Sequence, residues 1–252
     1  PPPTYTANVY KQPKVAIVVP IYNVAPYLNE CLDSILTQTY ANFTVFAVDD
    51  GSTDESGAIL DEWKAKDTRF VVIRQKNGGL SAARNAALDL IERDGTFEYV
   101  AFVDSDDKVL PKFLALLVQN AVQTQADITA CGFFKFNDEG RTKTEGVIQT
   151  ARTIDQEEFV ELIFSRLRWD KTCGAGGMVW EKLFTASSIK SIRFPSNRDV
   201  LEDEIFCLQA ALRAQIFSYL PEMLYGYRQR PDSIIRSERF AWQIFKGRAL
   251  CV

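Results

Sequence analysis

Short apolar runs alternate with amphipathic segments over the first half of the chain, and this pattern predicts repeated β-α-β units. The apolar runs are typical of parallel strands buried on both faces, whereas segments such as that containing Leu28, Leu32 and Ile35 carry apolar residues on one helical face. The predicted strands are 15–20, 43–48, 70–74 and 99–103, and the predicted helices are 26–38, one that continues through Trp63, and 81–92. We therefore expect an α/β fold with a Rossmann-like, mostly parallel sheet flanked by helices.

The second half of the chain has a less regular pattern. It predicts strands at 127–136 and at the aromatic segment 178–184, a turn at 137–140, and helices at 155–168, after Leu201 and at 237–250. The helix after Leu201 is expected to bury one face formed by Ile205, Leu208 and Leu212. Capping boxes are predicted at the pairs Ser52 with Glu55 and Asp155 with Glu158.

Polar loops follow three of the predicted strands, at 20–23, 49–52 and 104–107. Ligands of parallel α/β sheets bind at the carboxyl ends of the strands, so we expect these loops to meet at one edge. The third loop brings together Asp104, Asp106 and Asp107, whose charges repel one another unless a cation neutralises them. Hard oxygen ligands suggest Mg²⁺ or Mn²⁺ with a phosphate as a further ligand; the alternative is an Asp-rich turn that only ends a strand.

Other residues of these loops are suited to a nucleotide. The ring of Tyr22 could stack on a base or could pack on a helix at the rim, and Asp50 offers acceptors to a base or ribose. The segment Asn77-Gly78-Gly79 allows close backbone approach, and Arg84 lies near the start of the next helix, where a phosphate is favoured. Neither G-x-x-x-x-G-K-[ST] nor G-x-G-x-x-G occurs, so the sequence supports neither a P-loop kinase nor a dinucleotide-dependent dehydrogenase.

Composition excludes several kinds of chemistry. The chain has no histidine, which removes Ser-His-Asp triads, histidine zinc sites and a histidine base. A net charge of -4 argues against nucleic-acid binding. The five cysteines form no C-x-x-C pair and are expected to be buried thiols in a reducing compartment. The sequence shows no apolar run of about 20 residues and no signal-peptide core, so we expect a cytoplasmic protein, with the inner face of the membrane as the alternative location.

Five ordered motifs closely resemble the inverting family 2 glycosyltransferases of the GT-A fold, of the bacterial polysaccharide type. They are VAIVVPIYN, CLDSILTQTY, FAVDDGSTD, NGGLSAARN and VAFVDSDD, which cover Lys14 to about Pro111, with weaker matches at VWEKLF and VLEDEIF. The resemblance implies a nucleotide-diphospho-sugar donor, a UDP-sugar first among them, and a divalent metal, Mn²⁺ or Mg²⁺. It also implies transfer with inversion to a hydroxyl of a glycan or lipid-linked saccharide, and peripheral membrane association is one expectation for such an acceptor.

The resemblance also assigns roles to particular residues. Donor nucleotide binding is implied for Pro20, Tyr22, Asp50, Asn77, Gly78, Gly79, Arg84, Asp104 and Ser105, and metal binding for Asp106. Three acids at 202–204 could simply favour the start of a helix. In the resembled family, however, the Asp of the E-D pair at this place is the catalytic base, which points to Asp203 with Glu202 as the next candidate. Because no histidine is available, a carboxylate must act as base if the chain is an inverting transferase.

Four further residues are candidates for acceptor or phosphate contacts: Trp180, Lys182, Arg228 and Arg230. The alternatives are a core tryptophan, a solvated lysine and surface arginines. We expect an N-terminal extension at 1–13, a nucleotide-sugar half at 14–110, a mixed acceptor half at 111–236 and a C-terminal helix at 237–252. Rival functions are a transferase of the same fold that moves a polyol phosphate and a catalytically silent glycan-binding scaffold; glycoside hydrolysis is disfavoured by the nucleotide-type loops.

Overall fold

The computed structural model of the protein describes residues 12–145, 150–165, 177–196 and 201–230. The strands are β1 (Val15–Ile21), β2 (Phe43–Asp49), β3 (Phe70–Arg74), β4 (Tyr99–Phe102), β5 (Lys108–Val109), β6 (Ile128–Asn137), β7 (Gly140–Glu145), β8 (Arg152–Ile154), β9 (Lys182–Thr185) and β10 (Phe217–Arg228). The helices are α1 (Ala25–Leu36), α2 (Ser56–Lys66), α3 (Leu80–Asp94), α4 (Phe113–Thr124), α5 (Gln156–Ser165) and α6 (Glu202–Ala211). The predicted alternation of strands and helices in the first half is confirmed.

All of the strands belong to one mixed sheet, in the order β3-β2-β1-β4-β9-β6-β10-β5, with β7 on β6 and β8 on β10. The pairs among β1, β2, β3 and β4 are parallel. Beyond β4 the directions mix, because β9 runs antiparallel to both β4 and β6, whereas β10 runs parallel to β6. The predicted α/β fold with a mixed second half is therefore confirmed.

The central strand β1 separates two layers of the core. Its residues Val15 and Ile17 pack into the cluster that includes the buried face of α1, whereas Ala16 and Val18 pack into the cluster that includes the buried face of α3. All seven residues of β1 are buried, as expected for a strand with helices on both sides. Full burial of each large apolar side chain contributes roughly 1.5–3 kcal/mol, so this layering fixes the strand edge from which the polar loops extend.

Of the two predicted capping boxes, the hydrogen bonds support only the second. The prediction of a capping box at Ser52 and Glu55 is wrong, because α2 begins only at Ser56. The Ser56 amide donates to Asp54 Oδ1 at 2.9 Å. The Ser52 hydroxyl instead accepts from the amide of Asn23 at 3.1 Å. At the start of α5, Asp155 accepts from the amide of Glu158 at 2.9 Å, which is the N-cap half of the predicted capping box.

The predicted apolar face of α6 is also wrong. Leu212 lies beyond the helix and is 67% exposed, and the buried residues are Phe206, Cys207, Ala210 and Ala211. The reason is tertiary: the Phe206 ring stacks on Phe194 at a centroid distance of 4.1 Å, which turns this side of the helix toward the sheet. The predicted strand 178–184 begins only at Lys182, because its amide donates to the Val179 carbonyl and closes a turn.

Three of the five cysteines, Cys31, Cys131 and Cys207, are buried free thiols, as predicted, and the other two lie outside the described residues. The predicted C-terminal helix, residues 1–11 of the N-terminal extension and the end of the predicted helix at 166–168 also lie outside them. Among the helices that the structure describes, none combines the length and the apolar character needed to cross a bilayer.

Candidate active site

The loops after β1, β2, β3 and β4 lie at one edge of the parallel part of the sheet, as the sequence predicted. Pro20 is buried in β1 opposite Val48. Tyr22, which directly follows the end of β1, is 51% exposed. An exposed aromatic ring at this edge leaves a face open to a planar ligand. Base stacking by Tyr22 stays a prediction.

Asp50 is 2% exposed and organises the Asn77-Gly78-Gly79 loop. One carboxylate oxygen accepts from the Gly78 amide at 2.9 Å and from the Gln75 side chain at 2.7 Å, and the other accepts from the Gly79 amide at 2.8 Å. Gly79 has a φ of 87°, a conformation that favours glycine. Sequence reasoning gave Asp50 only a ligand role and missed that its side chain fixes the neighbouring loop.

Arg84 joins two of the predicted site carboxylates. Its side chain is 1% exposed, and its two terminal nitrogens bind different partners: Nη2 lies 2.9 Å from Asp104 Oδ1 and Nη1 lies 2.5 Å from Asp203 Oδ1. Asp104 follows β4 in the first half of the chain, whereas Asp203 lies in the first turn of α6. One buried guanidinium group therefore holds the candidate donor-site carboxylate and the candidate base side by side.

The first turn of α6 presents Asp203 to the sheet edge. Its second oxygen, Oδ2, accepts a hydrogen bond from the Val179 amide at 3.3 Å, and the side chain is 18% exposed. The neighbouring Glu202 is partly buried, and this burial, together with the charge of Asp203, raises its pKa to about 7. Burial also raises the pKa of Asp104 to about 6, helped by the charges of Asp203 and Asp106 and opposed by Arg84.

The acidic cluster after β4 contains two kinds of carboxylate. Asp107 is fully buried and accepts from the Tyr225 hydroxyl at 2.7 Å and from the Arg228 amide at 2.7 Å. Burial and the charges of Asp106 and Asp104 raise its pKa well above the usual value. Asp106 instead keeps 21% of its side chain exposed and pairs with Arg230 at 2.8 Å. Asp107 is therefore a structural residue, and Asp106 lies where a ligand can reach it. Ser105, between Asp104 and Asp106, is buried.

The residues at this edge fit a divalent cation that is shared with a substrate. Within the described ranges, no three or more carboxylate or cysteine side chains already form a metal cage. Mg²⁺ in phosphoryl and nucleotide sites is usually held by one or two carboxylates together with substrate phosphates. Asp106 and Asp104, both partly exposed, offer such a pair.

The four candidates for acceptor or phosphate contacts have different environments. Arg228 is 5% exposed and not a surface residue, since it pairs with Glu30 and Asp138 and donates to the Asp106 carbonyl. Arg230 forms an ion pair with Asp106, the predicted metal ligand. Trp180 is in the core, where its ring stacks on Tyr225 at a centroid distance of 4.5 Å. It is therefore a core tryptophan, which was the alternative to an acceptor contact.

Lys182 requires a correction. It is fully buried and pairs with Glu181 at 2.9 Å, so both sequence-based expectations, a phosphate contact and a solvated side chain, are wrong. The physical reason is that Lys182 begins β9, which lies between β4 and β6 in the interior of the sheet.

Residues 16–179 match the sequence profile of glycosyl transferase family 2. The chain belongs to this family. It is 35% identical over 228 residues to the uncharacterised glycosyltransferase EpsJ of Bacillus subtilis, which covers 88% of this chain and 63% of EpsJ. The predicted membership of glycosyltransferase family 2 is therefore confirmed.

Two solved structures share its fold. Residues 1–349 of S. aureus TarS in complex with UDP-GlcNAc match with a TM-score of 0.72 and 25% identity, over 92% of this chain and 64% of that one. The mannosyltransferase PcManGT of Pyrobaculum calidifontis, in complex with GDP-Man and Mn²⁺, matches with a TM-score of 0.65 and 20% identity, over 96% and 65%. The predicted GT-A fold is confirmed. The family 2 chain spans less than two thirds of the length of each of these three proteins.

The sequence of this glycosyltransferase gave no signal for two backbone contacts at the site. The Val179 amide reaches Asp203, and Gly177 packs so closely on the first turn of α6 that an added Cβ would lie 2.9 Å from the Glu204 Cα atom. Gly177 belongs to a glycine-rich stretch of the sequence, but Glu204, against which it packs, lies more than twenty residues further along the chain. Only the folded structure shows that both contacts fix the helix that carries the candidate base.

Replacing Gly177 with alanine should destabilise this glycosyltransferase by about 1–3 kcal/mol, because the new methyl group must push the α6 backbone away. Gly57→Ala is the matched control: its Cβ would meet nothing nearer than Asp49 Oδ2 at 3.5 Å, and alanine is favoured by up to about 1 kcal/mol within a helix. Urea unfolding of the two variants measures the difference. Equal stability of the two would show that the contact between Gly177 and α6 is not tight.

The free energy of unfolding should fall as the pH rises from about 4.5 to about 7. Burial raises the pKa of Glu202 from 4.5, its ordinary value, to about 7 in the folded chain. Between these values the unfolded chain has already released the proton that the folded carboxyl group still holds. The stabilisation is complete at the acidic end and lost at the neutral end. Urea unfolding in steps of pH measures the slope, and Glu202→Gln should reduce it; a smaller slope of the same sign remains because burial also raises the pKa of Asp104, to about 6. An unchanged slope would contradict the assignment to Glu202.

Proposed function

We propose that this family 2 glycosyltransferase moves a sugar from a UDP-sugar to a hydroxyl group of a glycan or lipid-linked saccharide, with inversion and with the help of a divalent cation. The observation that carries the proposal is the pair of contacts made by Arg84, which holds Asp104 and Asp203 on one guanidinium group. A donor-site carboxylate and a base must lie within one substrate length of each other for a single displacement. The contacts of Arg84 are consistent with that requirement.

The donor side is supported by the loops at the sheet edge. Tyr22 has an exposed ring, and Asp50 holds the Gly78 and Gly79 amides in a loop that a nucleotide can approach closely. TarS, whose fold this chain shares, binds UDP-GlcNAc, which favours a uridine nucleotide. PcManGT binds GDP-Man on the same fold, so the fold alone does not choose between uracil and guanine.

Asp106 and Asp104 would hold the cation. A divalent cation bound there would neutralise charge on the departing diphosphate. Arg230, which pairs with Asp106 in this structure, would have to share or release that carboxylate when the cation binds. Arg228 would stay in place, because its partners Glu30 and Asp138 are not donor-site residues.

Asp203 would act as the general base. As the acceptor oxygen attacks the anomeric carbon from the face opposite the diphosphate, the acceptor proton passes to the Asp203 carboxylate and the bond from carbon to phosphate oxygen breaks. Arg84 and the Val179 amide each bind one oxygen of that carboxylate, which fixes its orientation. A fixed base contributes to rate through correct positioning as well as through proton transfer.

Calorimetric titration with UDP, GDP, CDP and ADP, each with Mn²⁺ and again with EDTA, tests the donor part of this proposal. We expect UDP to bind most tightly and only with Mn²⁺. Tight binding of another nucleotide would overturn the uridine assignment, and equal binding with EDTA would overturn the metal assignment. Lack of binding by all four nucleotides would overturn the donor site and leave the silent scaffold as the better account.

Incubation with UDP-sugars and a saccharide acceptor tests the transfer step. Proton NMR of the product distinguishes inversion from retention at the anomeric carbon. A retained configuration would exclude Asp203 as the base of a single displacement. Transfer of a polyol phosphate from a nucleotide-activated polyol to the acceptor hydroxyl, with release of the nucleoside monophosphate and without sugar transfer, would favour the rival activity.

A further inference from the structure

Glu181 and Lys182 form a fully buried ion pair next to the candidate base. Both side chains have no exposed surface, and Lys182 Nζ lies 2.9 Å from Glu181 Oε1. Removing two charges from water is costly, and replacing such a pair with apolar residues is often neutral or stabilising. Stability alone therefore gives a weak reason for this pair, and a second role can be sought in its other contacts.

The ammonium group of Lys182 also donates to the Met178 carbonyl at 2.6 Å. The Cys207 thiol of α6 approaches the same oxygen at 3.6 Å. This carbonyl belongs to the peptide group between Met178 and Val179, and the N–H of that same group donates to Asp203 Oδ2 at 3.3 Å. One peptide group thus has a cation at its oxygen and the Asp203 carboxylate at its N–H.

The arrangement has an electrostatic consequence. A positive charge at a carbonyl oxygen draws electron density through the amide and makes the N–H a better donor, and hydrogen bonds in such chains strengthen one another. The Lys182 ammonium group also fixes which way the Met178 carbonyl points, and therefore the orientation of the peptide plane. With the plane reversed, the carbonyl oxygen would face the Asp203 carboxylate, which would be repulsive.

The turn that contains the Met178–Val179 peptide group is closed by a hydrogen bond and buried, so this peptide group cannot rotate easily. The Lys182 amide donates to the Val179 carbonyl at 3.2 Å, and Val179 has no exposed surface. The Trp180 ring stacks on Tyr225 at 4.5 Å and meets Phe133 edge-on at 4.9 Å. Packing holds the turn in place, and Lys182 supplies the polar contact that orients its first peptide group.

We propose that Lys182 is a positioning residue for sugar transfer and acts on Asp203 through the Met178–Val179 peptide group. The inference rests on the proposed function, in which Asp203 is the base. Lys182 does not reach the substrate. Its role is to keep one N–H directed at the carboxylate, so its loss should affect the chemical step and spare donor binding.

Two variants that differ only at Lys182 test the inference: Glu181→Gln, and Glu181→Gln combined with Lys182→Met. Both remove the buried negative charge, and methionine replaces the lysine stem without its donor. We expect the double variant to lose about tenfold to a hundredfold in kcat relative to Glu181→Gln, since small misplacements of a catalytic group cost up to about a hundredfold. The donor KM, and the Kd of UDP with Mn²⁺ measured by calorimetry, should stay within about twofold, because the hydrogen bonds of this peptide group go to Asp203 and Lys182.

Equal kcat values for the two variants would overturn the inference. So would a donor Kd that rises as much as kcat falls, because that pattern indicates general loss of structure. Thermal unfolding tests whether each variant is folded at the assay temperature. If Glu181→Gln is unfolded, because the buried Lys182 ammonium has lost the Glu181 charge, the double variant is compared with the native enzyme, and equal kcat values of those two would overturn the inference. If the double variant does not fold, Glu181→Gln combined with Lys182→Gln takes its place; its amide retains an N–H donor, and kcat should fall by less than tenfold, whereas a complete loss would overturn the inference.

Asp203→Asn separates failure of this inference from failure of the proposed function. If Asp203→Asn remains fully active, the base assignment fails whatever Lys182 does. If Asp203→Asn is inactive and the double variant keeps the kcat of Glu181→Gln, only the role of Lys182 fails.

Discussion

Replacing Asp203 with asparagine should lower kcat by about a hundredfold to ten-thousandfold, the usual contribution of a positioned general base. Asparagine has the same shape, and its carbonyl oxygen can still accept from Arg84, which lies 2.5 Å from the carboxylate in the native chain. The asparagine NH2 group cannot accept from the Val179 amide as Asp203 Oδ2 does, so the free energy of unfolding should fall by about 1–3 kcal/mol, while the fold and the nucleotide site persist. Initial-rate kinetics at saturating donor measure the loss, and calorimetry with UDP and Mn²⁺ measures donor affinity.

Glu202→Gln is the matched control, because it changes the adjacent carboxyl group in the same helical turn and leaves the contacts of Arg84 with Asp104 and Asp203 intact. We expect it to retain kcat within about tenfold, in contrast to the larger loss expected for a true general base. A larger loss for Glu202→Gln than for Asp203→Asn would exchange the two roles. Loss of nucleotide binding in Asp203→Asn would instead mean that Asp203 belongs to the donor site.

Replacing Asp106 with asparagine should remove metal-dependent turnover, with a loss of about a hundredfold or more, while the fold stays intact. Asp106 is partly exposed and pairs with Arg230 rather than with the core, so its charge is available to a cation. Titration of activity with Mn²⁺ in the native enzyme and in the variant is the measurement. Full activity of the variant at the native Mn²⁺ concentration would exclude Asp106 as a ligand.

Asp107→Asn provides the contrast for this experiment, since it makes the same replacement of one carboxylate oxygen by an NH2 group at the next residue. Asp107 is fully buried and accepts from Tyr225 and Arg228. Its replacement should lower the free energy of unfolding by about 1–3 kcal/mol, because an amide cannot accept from both donors with both of its atoms. The Mn²⁺ concentration for half-maximal activity should change little. A shift as large as that of Asp106→Asn would mean that the whole cluster binds the metal.

The parallel half of the fold could be predicted from sequence because its strands are buried on both faces. A strand such as β1 has to be apolar at every position, so its boundaries stand out, and turn-forming residues follow it directly. The placement of Tyr22, Asp50 and Asp106 at one edge followed from strand direction alone. None of these inferences needed a contact between distant parts of the chain.

The errors concern residues whose environment is set by distant segments. Arg84 and Asp203 are 119 positions apart, and their direct contact leaves no local pattern in the sequence. Lys182 was taken for a solvated or phosphate-binding residue because lysine is rarely fully buried, and its partner and its place between β4 and β6 appear only in the folded sheet. The apolar face of α6 was misplaced for the same reason, since stacking of Phe206 on Phe194 decides which side is buried.

The position of Arg84 limits how enzymes of this kind could be recombined. A hybrid joined near residue 110 would take Arg84 and Asp104 from one parent and Asp203 from the other. Such a hybrid would need a carboxylate from its second parent at the distance that the first parent's arginine requires; otherwise a buried cation would lose half of its neutralisation. The second half of the chain could therefore be exchanged as a module only between parents whose α6 helices meet this arginine in the same way.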